Sequence, residues 1–274
     1  HVEAPDCYRC PFGQSREDCA CECFVHAERA FEEHGRETAA MIVEPLLQGS
    51  AGMRIYPEEY LRKLRALCDA HDVLLIADEI ATGFGRTGRL FATERAGISP
   101  DIMCLSKGLT GGYMPMSITI VKEKIYEAFY ADWSEGRAFM HSHTYAGNPL
   151  GCAAALAVLD ILDEENILER AENTAAWLTE RMTEAFGTHP NVGEIRHIGL
   201  IHAVELVEDR AEKRPFDGKR RLGYAIYRRA LKNGLLLRPL GDVLYFNPPL
   251  NIGRDDLEIA IERMKLSMDE VLGA

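Results

Sequence analysis

Apolar positions along the chain follow two rhythms. Phe24, Ala27, Ala30 and Phe31 recur at helical spacing within residues 24–35, and Tyr60, Leu61, Leu64 and Leu67 do the same within 57–70. Between and after these stretches come short, nearly continuous apolar runs, at 39–43, 73–77, 101–105 and 116–121, which read as buried strands. The first ends at Glu44-Pro45, where proline stops a ladder. Further helices are expected at 149–164, carrying Leu150, Ala153, Ala154, Ala157, Val158, Ile161 and Leu162, and at 168–186. Residues 195–207 read as a strand broken at Gly199, and 213–219 as a charged loop and the best candidate for mobility. A helix at 222–233 stops at Gly234, strands are expected at 235–238 and 243–246, and a final helix at 255–272. Residues 1–23, rich in Cys, Pro and Gly, read as loop.

This alternation predicts an α/β fold with a mainly parallel sheet in a large domain, followed by a smaller α+β domain. The division is expected at 1–165 and 166–274. Active sites of such sheets gather at the carboxyl ends of the strands. Glu44, Asp78 and Lys107 each stand just past an expected strand end. Strand-end charges commonly just meet solvent. An acid and a lone amine ending consecutive buried strands also suit pyridoxal phosphate: the amine forms an imine with the aldehyde, and the acid keeps the pyridine nitrogen protonated.

Composition narrows the field without naming a function. The 274 residues can bury a substantial core, and 47% hydrophobic with 27% charged residues is ordinary for a globular chain. A formal charge of -12 argues against nucleic acid or anionic membrane as partner. No apolar run is long enough to span a bilayer, and no signal peptide is seen, so a cytoplasmic location is expected. Of eight cysteines, Cys7, Cys10, Cys19, Cys21 and Cys23 crowd the start. Cys7-Tyr8-Arg9-Cys10 has the spacing of a zinc half-site or redox pair, but no second C-x-x-C follows. A reducing compartment disfavours a disulfide framework, and no metal is expected there. His141 and His143, one residue apart, are a weak metal signal.

The block Asp78-Glu79-Ile80-Ala81-Thr82-Gly83-Phe84-Gly85-Arg86-Thr87-Gly88 resembles the signature of the class III (ω-amino acid) aminotransferases. The likeness extends through Ser106-Lys107-Gly108 and the stretch from His141 to Leu150, and covers nearly the whole chain. It implies the type I fold of pyridoxal phosphate enzymes, with pyridoxal 5'-phosphate as cofactor and a homodimer whose subunits share each active site. Ala81, the stretch from Lys107 to Tyr113, and Arg238-Pro239-Leu240-Gly241-Asp242-Val243-Leu244-Tyr245 favour one branch. That branch aminates 8-amino-7-oxononanoate in biotin synthesis, with S-adenosylmethionine the expected donor. Relatives acting on 4-aminobutyrate, ornithine or β-alanine form the alternative within the family, and a non-catalytic fragment lies outside it.

Roles follow by resemblance. Lys107 is the cofactor-linked base and Asp78 the partner of the ring nitrogen. Ile80 packs on the ring, although on residues alone it reads equally as plain core. Thr144, with Ser142 beside it, reaches the cofactor phosphate of the neighbouring subunit. Glu44 and Gln48 orient groups near the cofactor. Arg238 binds the substrate carboxylate, for which a planar guanidinium is suited, and Tyr245 lines the same pocket. On residues alone Arg238 reads as well as a structural ion pair. Family members carry a long stretch before the region seen here, so a chain starting at His1 is expected to be truncated and its site incomplete.

Overall fold

The computed structural model describes residues 1–16 and 18–273. A 3-10 turn at Glu22–Phe24 leads into α1 (Val25–His34), then β1 (Ala40–Val43), β2 (Leu47–Gln48), β3 (Arg54–Ile55), α2 (Glu58–Ala70) and β4 (Leu74–Asp78). There follow α3 (Ala92–Ala96), β5 (Ile102–Leu105), β6 (Ile118–Val121), α4 (Glu123–Glu127), α5 (Pro149–Glu164) and α6 (Ile167–Phe186). The chain closes with β7 (Val192–Ile198), β8 (Ile201–Leu206), α7 (Leu222–Lys232), β9 (Val243–Phe246) and α8 (Arg254–Leu272).

The main sheet has the order β1-β4-β5-β6, with the first three strands parallel and β6 antiparallel. One face is covered: Met41, Val43 and Leu75 pack with Ala27 and Phe31 of α1 and Leu61 and Leu64 of α2. On the other face Ile42, Ile76, Ile102 and Val121 stand in register as one row across all four strands. Ile42 is 60% exposed there. The C-terminal sheet, β7-β8-β9, is antiparallel and buries Val204, Leu206 and Leu244 against Leu178, Met182 and Phe186 of α6, Ile226 of α7 and Ile261 and Met264 of α8. The two sheets are joined: Ile198, Ile201, Ala203 and Val243 belong to the same apolar cluster as α1 and α2. Arg196 of β7 donates from Nε to the Met53 carbonyl at 2.8 Å and is neutralised by Glu194 and Glu205.

Two sequence expectations need correction. Residues 195–207 are not one broken strand but part of the hairpin β7–β8, which turns at Gly199. Gly199 has φ 52°, and a Cβ there would lie 2.5 Å from the Arg86 carbonyl oxygen, so the turn needs glycine. Residues 235–238 are not a strand, because among the described residues no neighbour offers them a ladder; the nearby Leu240 makes a single bridge, to Val243. In the charged loop at 213–219, Lys213 Nζ donates to the Tyr8 carbonyl at 2.7 Å.

Asp101, at the entry to β5, is the electrostatic pin of the main sheet. Its buried Oδ2 accepts from the Leu75 N–H at 2.9 Å and from Arg65 Nη1 at 2.7 Å, while Lys122 and Lys124 approach Oδ1. Burial alone would raise its pKa, but the Leu75 N–H, Arg65, Lys124 and Lys122 together hold it well below the usual 3.8. A depressed carboxylate adds stability that is fully present above the unfolded value and lost as pH falls through the folded one. Asp101→Asn is therefore expected to cost about 2–4 kcal/mol at neutral pH, and much less in strong acid. Urea denaturation at pH 7 and near pH 2 checks this; an equal cost at both would refute it.

Candidate active site

Parallel pairing brings the carboxyl ends of β1, β4 and β5 to one edge. Glu44 follows β1, Asp78 ends β4, and Lys107 lies two residues beyond β5. Glu44 is half-buried, its Oε1 accepting from the Gly49 N–H at 3.2 Å. Its carboxyl is raised chiefly by burial, which the Gly49 N–H opposes; the Asp78 charge raises it further and Lys107 lowers it. The three groups thus share one electrostatic neighbourhood, as their strand-end positions predict.

Asp78 and Glu79 are neighbours with opposite fates, because successive strand residues face opposite ways. Asp78 lies on the open side with Ile76, and its Oδ1 accepts from the Ile80 N–H at 3.1 Å. Glu79 is fully buried and accepts from Thr82 Oγ1 at 2.5 Å and from the Ala92 and Thr93 N–H groups at 3.0 and 2.8 Å. It holds the start of α3, where an anion suits the unpaired amides.

Lys107 opens a 3-10 turn, Lys107–Thr110, with φ 46°, a left-handed conformation unusual for a side-chain-bearing residue. Phe84 is left-handed too, at φ 57°, and the two loops meet at Gly108, where a Cβ would lie 2.9 Å from Phe84 Cβ. Ser106 Oγ donates to the Met116 carbonyl at 2.7 Å and Thr110 Oγ1 to that of Met114 at 2.6 Å, which fixes the turn on both sides. Strain of this kind is concentrated where a side chain must be aimed. Lys107 lines a cleft of about 610 Å³ with Ile80, Phe84, Arg86, Ile167 and Asn247. Its amine makes no hydrogen bond or ion pair among the described residues.

Of the other sequence candidates, two line a cavity beside this cleft and the rest lie elsewhere. Arg238, exposed, and Tyr245, half-buried, line an adjoining cavity of about 730 Å³ that shares Asn247 with the first. Arg238 has no carboxylate partner among the described residues. Ser142 and Thr144 are exposed in the segment before α5 and line neither cavity, and His141 and His143 are exposed beside them. Gln48 turns instead to the N-terminal stretch, its Nε2 donating to the Pro5 carbonyl at 2.9 Å. Arg86 is the site residue to which the sequence reading gave no role. It lines the Lys107 cleft, donates to the Pro248 carbonyl, and pairs with no carboxylate among the described residues. Burial pulls its guanidinium down to about 10. A lone arginine between glycines in an apolar block was the available signal.

An uncommitted amine, a carboxylate at the end of the neighbouring strand with Oδ2 free of any protein hydrogen bond among the described residues, and an open cleft fit the aldehyde and ring nitrogen of pyridoxal phosphate. Lys107 and Asp78 would hold it, with Ile80 against the ring.

The class III aminotransferase family model matches residues 1–268. The chain belongs to this family, whose members are pyridoxal phosphate-dependent enzymes of fold type I. It is 45% identical over 271 residues to an adenosylmethionine-8-amino-7-oxononanoate aminotransferase of Geobacter sulfurreducens, covering 98% of this chain and 60% of that protein. The enzyme of the same name from Nitratidesulfovibrio vulgaris is 44% identical, with 96% and 48% covered. Among solved structures, an ω-transaminase from Pseudomonas jessenii in complex with PMP superposes with a TM-score of 0.91 at 38% identity, covering 99% of this chain and 60% of that one. The Methanocaldococcus jannaschii adenosylmethionine-8-amino-7-oxononanoate aminotransferase gives 0.86 at 35%, covering 91% and 57%. The chain thus spans about half to three-fifths of the length of these relatives.

Proposed function

We propose that this chain carries the lysine-bearing part of a transaminase that converts 8-amino-7-oxononanoate to 7,8-diaminononanoate in biotin synthesis, with S-adenosylmethionine as amino donor. The observation that carries the reading is the free Lys107 amine at the strand end next to Asp78. The names of the relatives given above support the substrate. When bound, pyridoxal phosphate supplies an aldehyde and a ring that takes up the electron pair of a broken Cα–H bond. Lys107 moves the proton from the substrate Cα as base and returns it as acid. Asp78, as a carboxylate, holds a proton on the ring nitrogen. Ile80 keeps water from one ring face, and Glu44 orients polar groups at the rim. Arg238 receives the substrate carboxylate, and Tyr245 lines its path.

The site residues lie on both sides of the division we propose at 165/166, so the cleft forms between a large and a small domain. We also assign Ser142 and Thr144 to the cofactor phosphate of a second subunit. Their exposure supports this, as do the exposed apolar side chains of the segment before them, where Trp133 is 86% and Met140 85% exposed. The active form is then a homodimer, and a monomer by analytical ultracentrifugation of the active protein would remove that role. Among the described residues no helix is long and apolar enough to cross a membrane, which is compatible with the cytoplasmic location we assign.

The test is a visible spectrum with pyridoxal phosphate, followed by S-adenosylmethionine and then 8-amino-7-oxononanoate. A band that depends on Lys107, bleaches with the donor and returns with the acceptor is expected. Turnover of simple ω-amines with no response to 8-amino-7-oxononanoate would instead assign the ω-transaminase activity named for the Pseudomonas jessenii protein.

A further inference from the structure

Cys7, Cys10, Cys19, Cys21 and Cys23 line one small pocket under the N-terminal stretch, with Pro57 and Tyr60 on its wall. The site described above uses none of them. Cys21 is left-handed, with φ 62°, and this turns its N–H back to donate to Cys19 Sγ at 3.3 Å. Cys19 also lines a second, open cavity of about 570 Å³, beside Arg62, Arg95, Thr179 and His197, so it is reached from outside. Cys21 is 2% exposed. Burial, with the Cys19 thiol next, pushes the Cys21 thiol up to about 12, and the same two causes push Cys7 to about 12. Thiols held protonated do not start an oxidation, because the thiolate is the nucleophile. Among the described residues no group of three or more Cys, His, Asp or Glu is gathered to hold a metal ion. The arrangement is an accessible thiol against a buried one.

We propose that Cys19 and Cys21 form an oxidisable dithiol, a modification site for a peroxide. Cys19, as thiolate, attacks one peroxide oxygen; the O–O bond breaks, a sulfenic acid forms, and the other oxygen leaves as hydroxide, which takes up a proton. The Cys21 sulfur then attacks the Cys19 sulfur, the S–O bond breaks, and a second water leaves with the thiol proton. Two thiols are oxidised to one disulfide, and one peroxide is reduced to two waters. This inference does not depend on the proposed transaminase reaction.

The test uses the purified chain, reduced, freed of reductant and treated with hydrogen peroxide. Remaining thiols are then alkylated and the tryptic peptides read by mass spectrometry. Cleavage after Arg16 and Arg29 leaves Cys19, Cys21 and Cys23 on the peptide 17–29, apart from Cys7 and Cys10. The expected result is this peptide lighter by two hydrogens, with Cys23 still alkylated. Cys19→Ser should slow the loss of thiols by about tenfold or more. Cys21→Ala should leave a sulfenic acid on Cys19 that dimedone traps, which keeps the proposal testable should Cys19→Ser fail to fold. Oxidation of Cys19→Ser at the parent rate, a bridge to the peptides carrying Cys7 or Cys10, or stoichiometric zinc that shields the thiols would each overturn it.

Discussion

Lys107→Ala is expected to end borohydride-fixed attachment of pyridoxal phosphate and to lower transamination by about 10⁴-fold or more, since both the nucleophile and the proton carrier are lost. The fold should survive. Lys107 is exposed and makes no hydrogen bond or ion pair among the described residues. Its left-handed backbone, φ 46°, would be accommodated without strain by glycine, so Lys107→Gly should unfold no more readily than the parent. Peptide mapping after borohydride reduction, single-turnover rates and a thermal melt separate these effects. Cofactor fixed at another lysine, or a rate within tenfold of the parent, would refute the assignment.

Asp78→Asn should come next in size, with a loss of about 10²–10³-fold in rate, the order expected for removing a charge held against a developing one. The substitution is close to isosteric. The amide oxygen of the variant side chain can still accept from the Ile80 N–H, a bond that Asp78 makes at 3.1 Å, so the end of β4 should not move. What disappears is the negative charge to which we assign the protonation of the ring nitrogen. Cofactor binding should weaken far less than turnover falls. A variant that binds normally and turns over normally would exclude Asp78 as the partner of that nitrogen.

The core of the proposed site was legible as strand ends, because its residues mark where apolar runs stop. Glu44, Asp78 and Lys107 are each the polar punctuation of a parallel strand, and pairing in register brings strand ends together. The resemblance rather than periodicity supplied Arg238, Tyr245, Ser142 and Thr144, and of these only Arg238 and Tyr245 line a cavity next to Lys107. Arg86 went without a role because burial and the lack of a carboxylate partner among the described residues are tertiary facts. Short elements escaped for the same reason. The five residues of α3 have no apolar period long enough to read, and their start depends on Glu79, thirteen residues before Ala92. Residues 235–238 have the composition of a strand, but a strand also needs a partner, which composition does not supply.

Asp78 and Glu79 also set the kind of error this protein can absorb. One carboxylate stands on the open side of the sheet and its neighbour is sunk among the amides of α3, with a single peptide bond between them. Many side-chain changes along β4 would leave that assignment intact. Adding or removing one residue in β4 would instead turn every later side chain to the opposite face, sending Glu79 to the open side and Asp78 into the protein. The segment is therefore written in a reading frame of its own, far more forgiving of misspelling than of slippage.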